Sequence, residues 1–142
     1  MSKELIRKNL AEFSGTLLLV TIIIGSGIMG SNLSSDKMAI LLSHSIATGL
    51  GLTALIWIFM SISGAHFNPA VTLVMYLKKE ISFKDSITYI IAQLSGGIFG
   101  AILANTMFGL DTITIADTDR GGLHIYLGEF VATFGLLITI LG

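Results

Sequence analysis

Apolar and polar positions divide the chain into four long apolar runs and one interruption. The runs cover residues 10–30, 38–62 and 83–108, and a fourth opens near residue 125 and is still apolar at Gly142. A helix that crosses a bilayer needs roughly 20 mainly apolar residues to span about 30 Å of hydrocarbon. The pattern therefore predicts four spanning helices, the last at the short limit for a full crossing. A short polar turn, residues 31–37, separates the first two. Between the second and third lies Ser63-Gly64-Ala65-His66-Phe67-Asn68-Pro69-Ala70-Val71-Thr72. Asn is a favoured N-cap, and Pro is tolerated at the first helical position because its missing N–H has no helical partner there. A short helix is expected over residues 68–77, roughly 15 Å long and about half the hydrocarbon thickness. We read it as a re-entrant half-helix preceded by an irregular glycine-containing segment. Non-helical backbone at membrane depth is tolerated only where it is buried in protein or lines a water-filled cavity. The interruption thus points to a pore or a solute site; the plainer alternative is a helix cap in a surface loop.

Composition narrows the class. Of 142 residues, 53% are hydrophobic and 12% charged, with no cysteine and a net charge of −1. Ordinary soluble domains carry about twice that charged fraction. Mean hydropathy is +0.86. The bilayer is the expected solvent, and nucleic acid is not an expected partner. Disulfides, thiolate metal sites and thiol catalysis are excluded. Lys3, Arg7 and Lys8 before an apolar run imitate a signal peptide. Glu12 interrupts that run and further spans follow, so a retained first span is expected.

Charge also orients the chain. Lys3, Arg7 and Lys8 precede the first span, and Lys78, Lys79 and Lys84 lie between the half-helix and the third. The loops after the first and third spans hold only Lys37 and Arg120 as basic residues. The positive-inside rule places the N-terminus on the cytoplasmic side of the cell (inner) membrane, and has the Asn68 segment dip in from that side. All four spans obey the rule only if that segment does not cross.

An internal match follows. Glu12-Phe13-Ser14-Gly15-Thr16 is similar to Glu129-Phe130-Val131-Ala132-Thr133. The first span runs outward and the fourth inward, so the copies would be inverted, a common architecture for membrane solute pathways. Asn68 lies 56 residues past Glu12, so a second Asn-Pro-Ala is expected at about 185, beyond the last residue. The expected layout is a single transmembrane domain over 1–142. Residues 1–108 form a first repeat, 109–124 an extracytoplasmic loop and 125–142 the start of a second. A truncated product, a fragment and a half-size protein that pairs with another chain all remain open.

These residues resemble the major intrinsic proteins, the aquaporins and aquaglyceroporins. The resemblance rests on Glu12-Phe13 with Gly15-Thr16, on the extended block from Ser63 to Thr72, and on Ala92-Gln93 with Gly96-Gly97. It implies an all-α membrane protein with an aquaporin-like fold: one repeat of three spanning helices plus a re-entrant half-helix, then the first span of a second, inverted repeat. It also implies a homo-oligomer, the family tetramer. Gly25-Ser26-Gly27-Ile28-Met29 and Ile46-Ala47-Thr48-Gly49 resemble the bacterial branch associated with arsenic-handling genes. The departure is that the second half, with its Asn-Pro-Ala and constriction arginine, is missing from the sequence.

The chemistry expected of the path is simple. A helix N-terminus carries about half a positive charge, and directed at the midplane it opposes cations and protons. The Asn68 amide can donate to a solute oxygen, while the carbonyls of Gly64, Ala65 and His66 can accept. Such a column suits water, glycerol or a neutral metalloid hydroxide such as arsenite. By resemblance Thr48 occupies the constriction and leaves room for a solute wider than water; an ordinary packing residue is the alternative. His44, one turn earlier, is a candidate for the outer vestibule or a headgroup contact. Glu12 is costly in a membrane and must face protein or water. The resemblance makes it a brace for the Asn68 loop near His66, helped by Pro69; a proton-relay carboxylate is the sharper alternative. Gly96, Gly97 and Gly100 form a helix-packing face. Met75, Phe99 and Trp57 are read as core or lipid-facing bulk, and His124 as exposed. Asp111, Asp117 and Asp119 are too loosely spaced for a calcium loop. No metal, cofactor or enzymatic activity is expected. A passive channel is the leading reading. An ion- or proton-coupled transporter and a non-conducting copy that only assembles with other subunits are its rivals.

Overall fold

The computed structural model describes residues 2–113 and 121–142. Asp117, Asp119 and Arg120 lie outside them. The described residues form five helices: α1 (Lys3–Leu33), α2 (Lys37–Ser63), α3 (Pro69–Leu77), α4 (Phe83–Met107) and α5 (Leu123–Leu141). Of these, α1, α2, α4 and α5 are long and apolar enough to cross a membrane.

Polar side chains start the first four. Ser2 Oγ accepts from Leu5 N at 3.2 Å, Asp36 Oδ1 from Met38 N at 2.9 Å and Ser82 Oγ from Asp85 N at 3.1 Å. Each satisfies a backbone donor that the helix leaves unpaired. The first span is longer than hydropathy alone marks. It starts seven residues earlier, at Lys3, because Ser2 caps it there and Lys8 pairs with Glu4 at 3.0 Å one turn apart. Hydropathy locates the apolar section of a helix; capping and i,i+4 pairs decide where it begins. The turn after α1 is correspondingly shorter than expected, since the helix continues to Leu33.

The helices pack through small residues. A methyl group added at Gly96 would collide with the Phe13 carbonyl, and one at Gly100 with the Leu17 carbonyl, so α1 and α4 approach at backbone distance. Gly97, grouped with them in the sequence, meets only Val20 Cγ2 at 3.9 Å, an ordinary contact. It lies beside the seam, because 96 and 100 share a helix face and 97 is rotated from it. Thr21 Oγ1 lies 2.8 Å from the Leu17 carbonyl and 3.1 Å from the Gly100 carbonyl, adding a polar tie across the pair. α2 packs on the other side of α1, where Ser26 Oγ and His44 Nδ1 are 2.8 Å apart.

α3 turns back on α4. Its first turn meets the middle of α4, where Gln93 Nε2 donates to Thr72 Oγ1 at 2.9 Å. Its last turn meets the beginning of α4, with the Tyr76 and Phe83 rings 5.7 Å apart. The nine residues of α3 span roughly 14 Å. α3 therefore starts at depth and leaves by the end at which α4 begins. A single cavity is bordered by Leu5 and Lys8 of α1 and by Glu80, Ser82 and Asp85 around the start of α4. Lys3, Arg7, Lys8, Lys78, Lys79 and Lys84 thus belong to one end of the bundle.

Much of the apolar surface faces outward. Trp57 is 87% exposed and Phe99 is half exposed against Phe13. Side chains of this kind facing outward on apolar helices suit lipid as solvent.

Candidate functional site

The site is built on the break between α2 and α3. α2 ends where Gly64 adopts φ 87° and its N–H bonds the Met60 carbonyl at 3.0 Å. This is the left-handed helix stop for which glycine is suited. Ala65 (φ 50°) and Phe67 (φ 48°) also take left-handed backbone. For side-chain-bearing residues such conformations cost of order 1–3 kcal/mol each and persist only where the surroundings enforce them.

Glu12 supplies the enforcement. It is fully buried. Its Oε1 accepts from Ser63 Oγ at 2.6 Å and His66 N at 3.0 Å; its Oε2 accepts from Phe67 N and Gln93 Nε2, each at 2.8 Å. One carboxylate thereby ties α1, the loop and α4. A charge-assisted bond to a buried N–H is stronger than a neutral one, and four together offset the cost of burying the carboxyl. Tyr89 OH donates to the Ser63 carbonyl at 2.9 Å, fixing the end of α2 to α4. His66 Nδ1 lies 3.0 Å from Thr72 Oγ1, and its ring meets Tyr89 edge to face at 5.3 Å.

Phe67 then fills the gap beside α1. Its ring lies where a Cβ on Gly15 would be, so only glycine fits at that turn. It packs with Leu55 and Ala65, against Leu19, Ile22 and Phe59. Leu19 lies near the middle of α1, so the loop climbs from the level of Glu12 to the helix midpoint before α3 begins. There Asn68 Oδ1 accepts from Ala70 N at 2.7 Å and Pro69 takes the first helical position.

The hydrogen-bond ledger of this loop is one-sided. The N–H groups of Gly64, Ala65, His66 and Phe67 are all donated, to Met60, Ser63 and Glu12. Among the described residues, nothing donates to the carbonyls of Gly64, Ala65 or His66. Because capping uses the Asn68 oxygen, its NH2 group is left without a partner among the same residues. Asn68 and Ala65–Phe67 border a cavity of about 70 Å³ closed by Leu52 and Ile56 of α2 and Leu136 and Ile140 of α5. Gly64 and His66 border a second, larger one of about 300 Å³.

The structure gathers Glu12, Gly64, Ala65, His66, Asn68 and Pro69 at one place. Thr48 and His44 are not in that cluster. They lie one and two turns before Leu52 on α2, Thr48 with its hydroxyl buried and without a partner among the described residues, His44 against Ser26.

The sequence model of the family described as Major intrinsic protein matches residues 1–142. The chain belongs to that family. Its helices are the aquaporin-like fold's first repeat followed by the start of the second, and this major intrinsic protein is a multi-pass membrane protein. An aquaglyceroporin of Rhizobium meliloti, AqpS, is 44% identical over 97% of this chain and 59% of its own length. A glycerol uptake facilitator protein-like 6 of Lactiplantibacillus plantarum is 36% identical over 95% of this chain and 62% of its own. Aquaporin-4 of Mus musculus is 35% identical over 92% and 42%. The chain thus spans about three fifths or less of these relatives.

Two residues of the network escape a reading of single motifs. Tyr89 lies outside the Ser63–Thr72 block, and Gln93 stands out only by resemblance. A periodic signal contains both: Ser86, Tyr89, Gln93, Gly96, Gly100 and Ala104, spaced three or four apart, are the buried positions of α4. Polar and small residues at that spacing in an apolar helix mark a face turned toward protein.

Proposed function

We propose that this major intrinsic protein contributes to a passive path for water and small neutral hydroxylated solutes. The observation that carries the reading is the one-sided loop: its N–H groups are consumed, its carbonyls are free, and the Asn68 NH2 stands at its head. A file of acceptors ending in a donor matches a molecule that both gives and receives hydrogen bonds. The positive end of α3 at the same level opposes cations and protons. The names of the relatives, an aquaglyceroporin and a glycerol uptake facilitator-like protein, favour glycerol-sized solutes or a neutral metalloid hydroxide over water alone.

In this reading Asn68 and the Gly64, Ala65 and His66 carbonyls line the path, Thr48 sets its width and His44 borders the outer vestibule. Glu12 and Pro69 hold the loop. The four donors that occupy the Glu12 carboxylate support a positioning role over a proton relay. The basic end of the bundle faces the cytoplasm. A second repeat, on the same polypeptide or on an associated chain, completes the path, and the family tetramer is the assembly proposed.

The test is osmotic swelling of proteoliposomes in water and glycerol gradients, with and without a pH gradient or voltage. Solute flux above empty vesicles, indifferent to both, is expected. Absence of flux from the chain alone and with a second-repeat partner overturns the reading. Flux driven by the proton gradient and lost in Glu12→Gln establishes a coupled transporter instead.

A further inference from the structure

A hydrogen-bonded chain leads from Glu12 to the His66 ring, and its polarity is set at its start. A carboxylate accepts and does not donate. The Gln93 atom 2.8 Å from Glu12 Oε2 is therefore the amide nitrogen, and the same Nε2 lies 2.9 Å from Thr72 Oγ1. One amide proton goes to each. Thr72 Oγ1 accepts from Gln93 and has no acceptor for its own proton among the described residues other than His66 Nδ1, 3.0 Å away, so that proton goes to the ring. A ring nitrogen that accepts is bare, so the ring proton belongs on Nε2. Thr72 is fully buried and Gln93 is 2% exposed, so bulk water does not replace either partner. Nε2 is turned toward Gly64: a Cβ there would lie 3.4 Å from it. Gly64 and His66 border the cavity of about 300 Å³, together with Lys8, Asp85 and Tyr89.

We propose that Gln93 and Thr72 are positioning residues that hold His66 as the neutral Nε2–H tautomer, so that the ring presents a fixed N–H donor beside the free Gly64–His66 carbonyls. The loop would then offer a donor at Asn68 and a second one at His66, with acceptors between. The use of this donor by a passing solute rests on the channel reading; the tautomer itself does not.

Nitrogen-15 NMR of the histidine-labelled chain in lipid bilayers separates a protonated ring nitrogen from a bare one. His66 is assigned by the signals lost in His66→Gln. The native chain is expected to show His66 with Nδ1 bare and Nε2 protonated. Thr72→Val removes the donor and is expected to give an Nδ1-protonated or mixed ring, and Thr72→Ser, which keeps the hydroxyl, to restore the native pattern. A protonated Nδ1 in the native chain overturns the proposal, and so does a folded Thr72→Val chain with an unchanged His66. Should Thr72→Val not fold, the native spectrum alone decides. A native chain with the expected tautomer and no flux defeats the channel reading only; a conducting chain with the other tautomer defeats this proposal only.

Discussion

Glu12-Phe13-Ser14-Gly15-Thr16 of α1 and Glu129-Phe130-Val131-Ala132-Thr133 of α5 are similar in sequence and sit in opposite environments. Glu12 is fully buried and accepts from four donors. Glu129 is exposed and has no partner among the described residues. Gly15 is filled against by Phe67, whereas among the described residues Phe130 stacks on its own helix neighbour Phe134, at 6.1 Å. α1 has buried positions at Ala11, Glu12, Gly15 and Thr16; α5 has none among the described residues. A carboxylate in an apolar helix is a cost wherever it stands. It becomes a fastening only when a loop brings N–H groups to it, as the loop at residues 63–67 does for Glu12.

The sharpest way to break this contrast is to remove each carboxylate. Glu12→Leu leaves the His66 and Phe67 N–H groups, the Ser63 hydroxyl and the Gln93 amide without their acceptor, and each orphaned buried donor costs about 1–3 kcal/mol. Partial relaxation makes the total non-additive, and a loss of about 3–4 kcal/mol is expected in reversible unfolding of the reconstituted chain. Glu129→Leu is expected to leave the midpoint unchanged. Equal losses for both would remove the distinction.

Packing offers a second comparison. Gly96→Ala drives a methyl into the Phe13 carbonyl, and overpacking of this kind costs about 1–3 kcal/mol. Gly135→Ala on α5 meets nothing within 4 Å among the described residues. It is expected to be neutral or slightly stabilising, because alanine is the better helix former. The same unfolding assay reads both, and α1–α4 cross-linking should weaken only in the first.

Tyr89→Phe deletes the bond to the Ser63 carbonyl and keeps the ring against His66. A loss of about 1 kcal/mol is expected, with faster amide exchange at residues 63–67. At the small end, Phe130→Leu on α5 should change stability by less than about 0.5 kcal/mol. A larger effect there would show that α5 packs more tightly than its exposure implies.

Local chemistry explains why so much of this site is legible along the chain. Asn68-Pro69 announces a helix start wherever it occurs, since capping and the fixed proline φ are properties of adjacent residues. The four apolar runs announce spans for a similar reason, because the length needed is set by the bilayer. Basic residues before the first span and after the Asn68 segment are the ground for expecting that it does not cross. None of this reaches Tyr89 or the Gln93–Thr72–His66 chain, whose members lie 21 and 6 positions apart in their successive bonds. Hydrogen bonds between such residues depend on helices meeting at one depth and one rotation.

The amino-acid order by itself determined the number of spans, the break at residues 63–68, the short helix after it and the membership in the major intrinsic proteins. These follow from neighbours in the chain and from the thickness of the bilayer. Only tertiary structure decided that, among the described residues, Glu12 is satisfied and Glu129 is not, that Gly96 and Gly100 rather than Gly97 are the close approaches, and that the loop keeps its carbonyls free. Each of those depends on which groups arrive from elsewhere in the chain, and a buried polar atom takes its meaning from its partner.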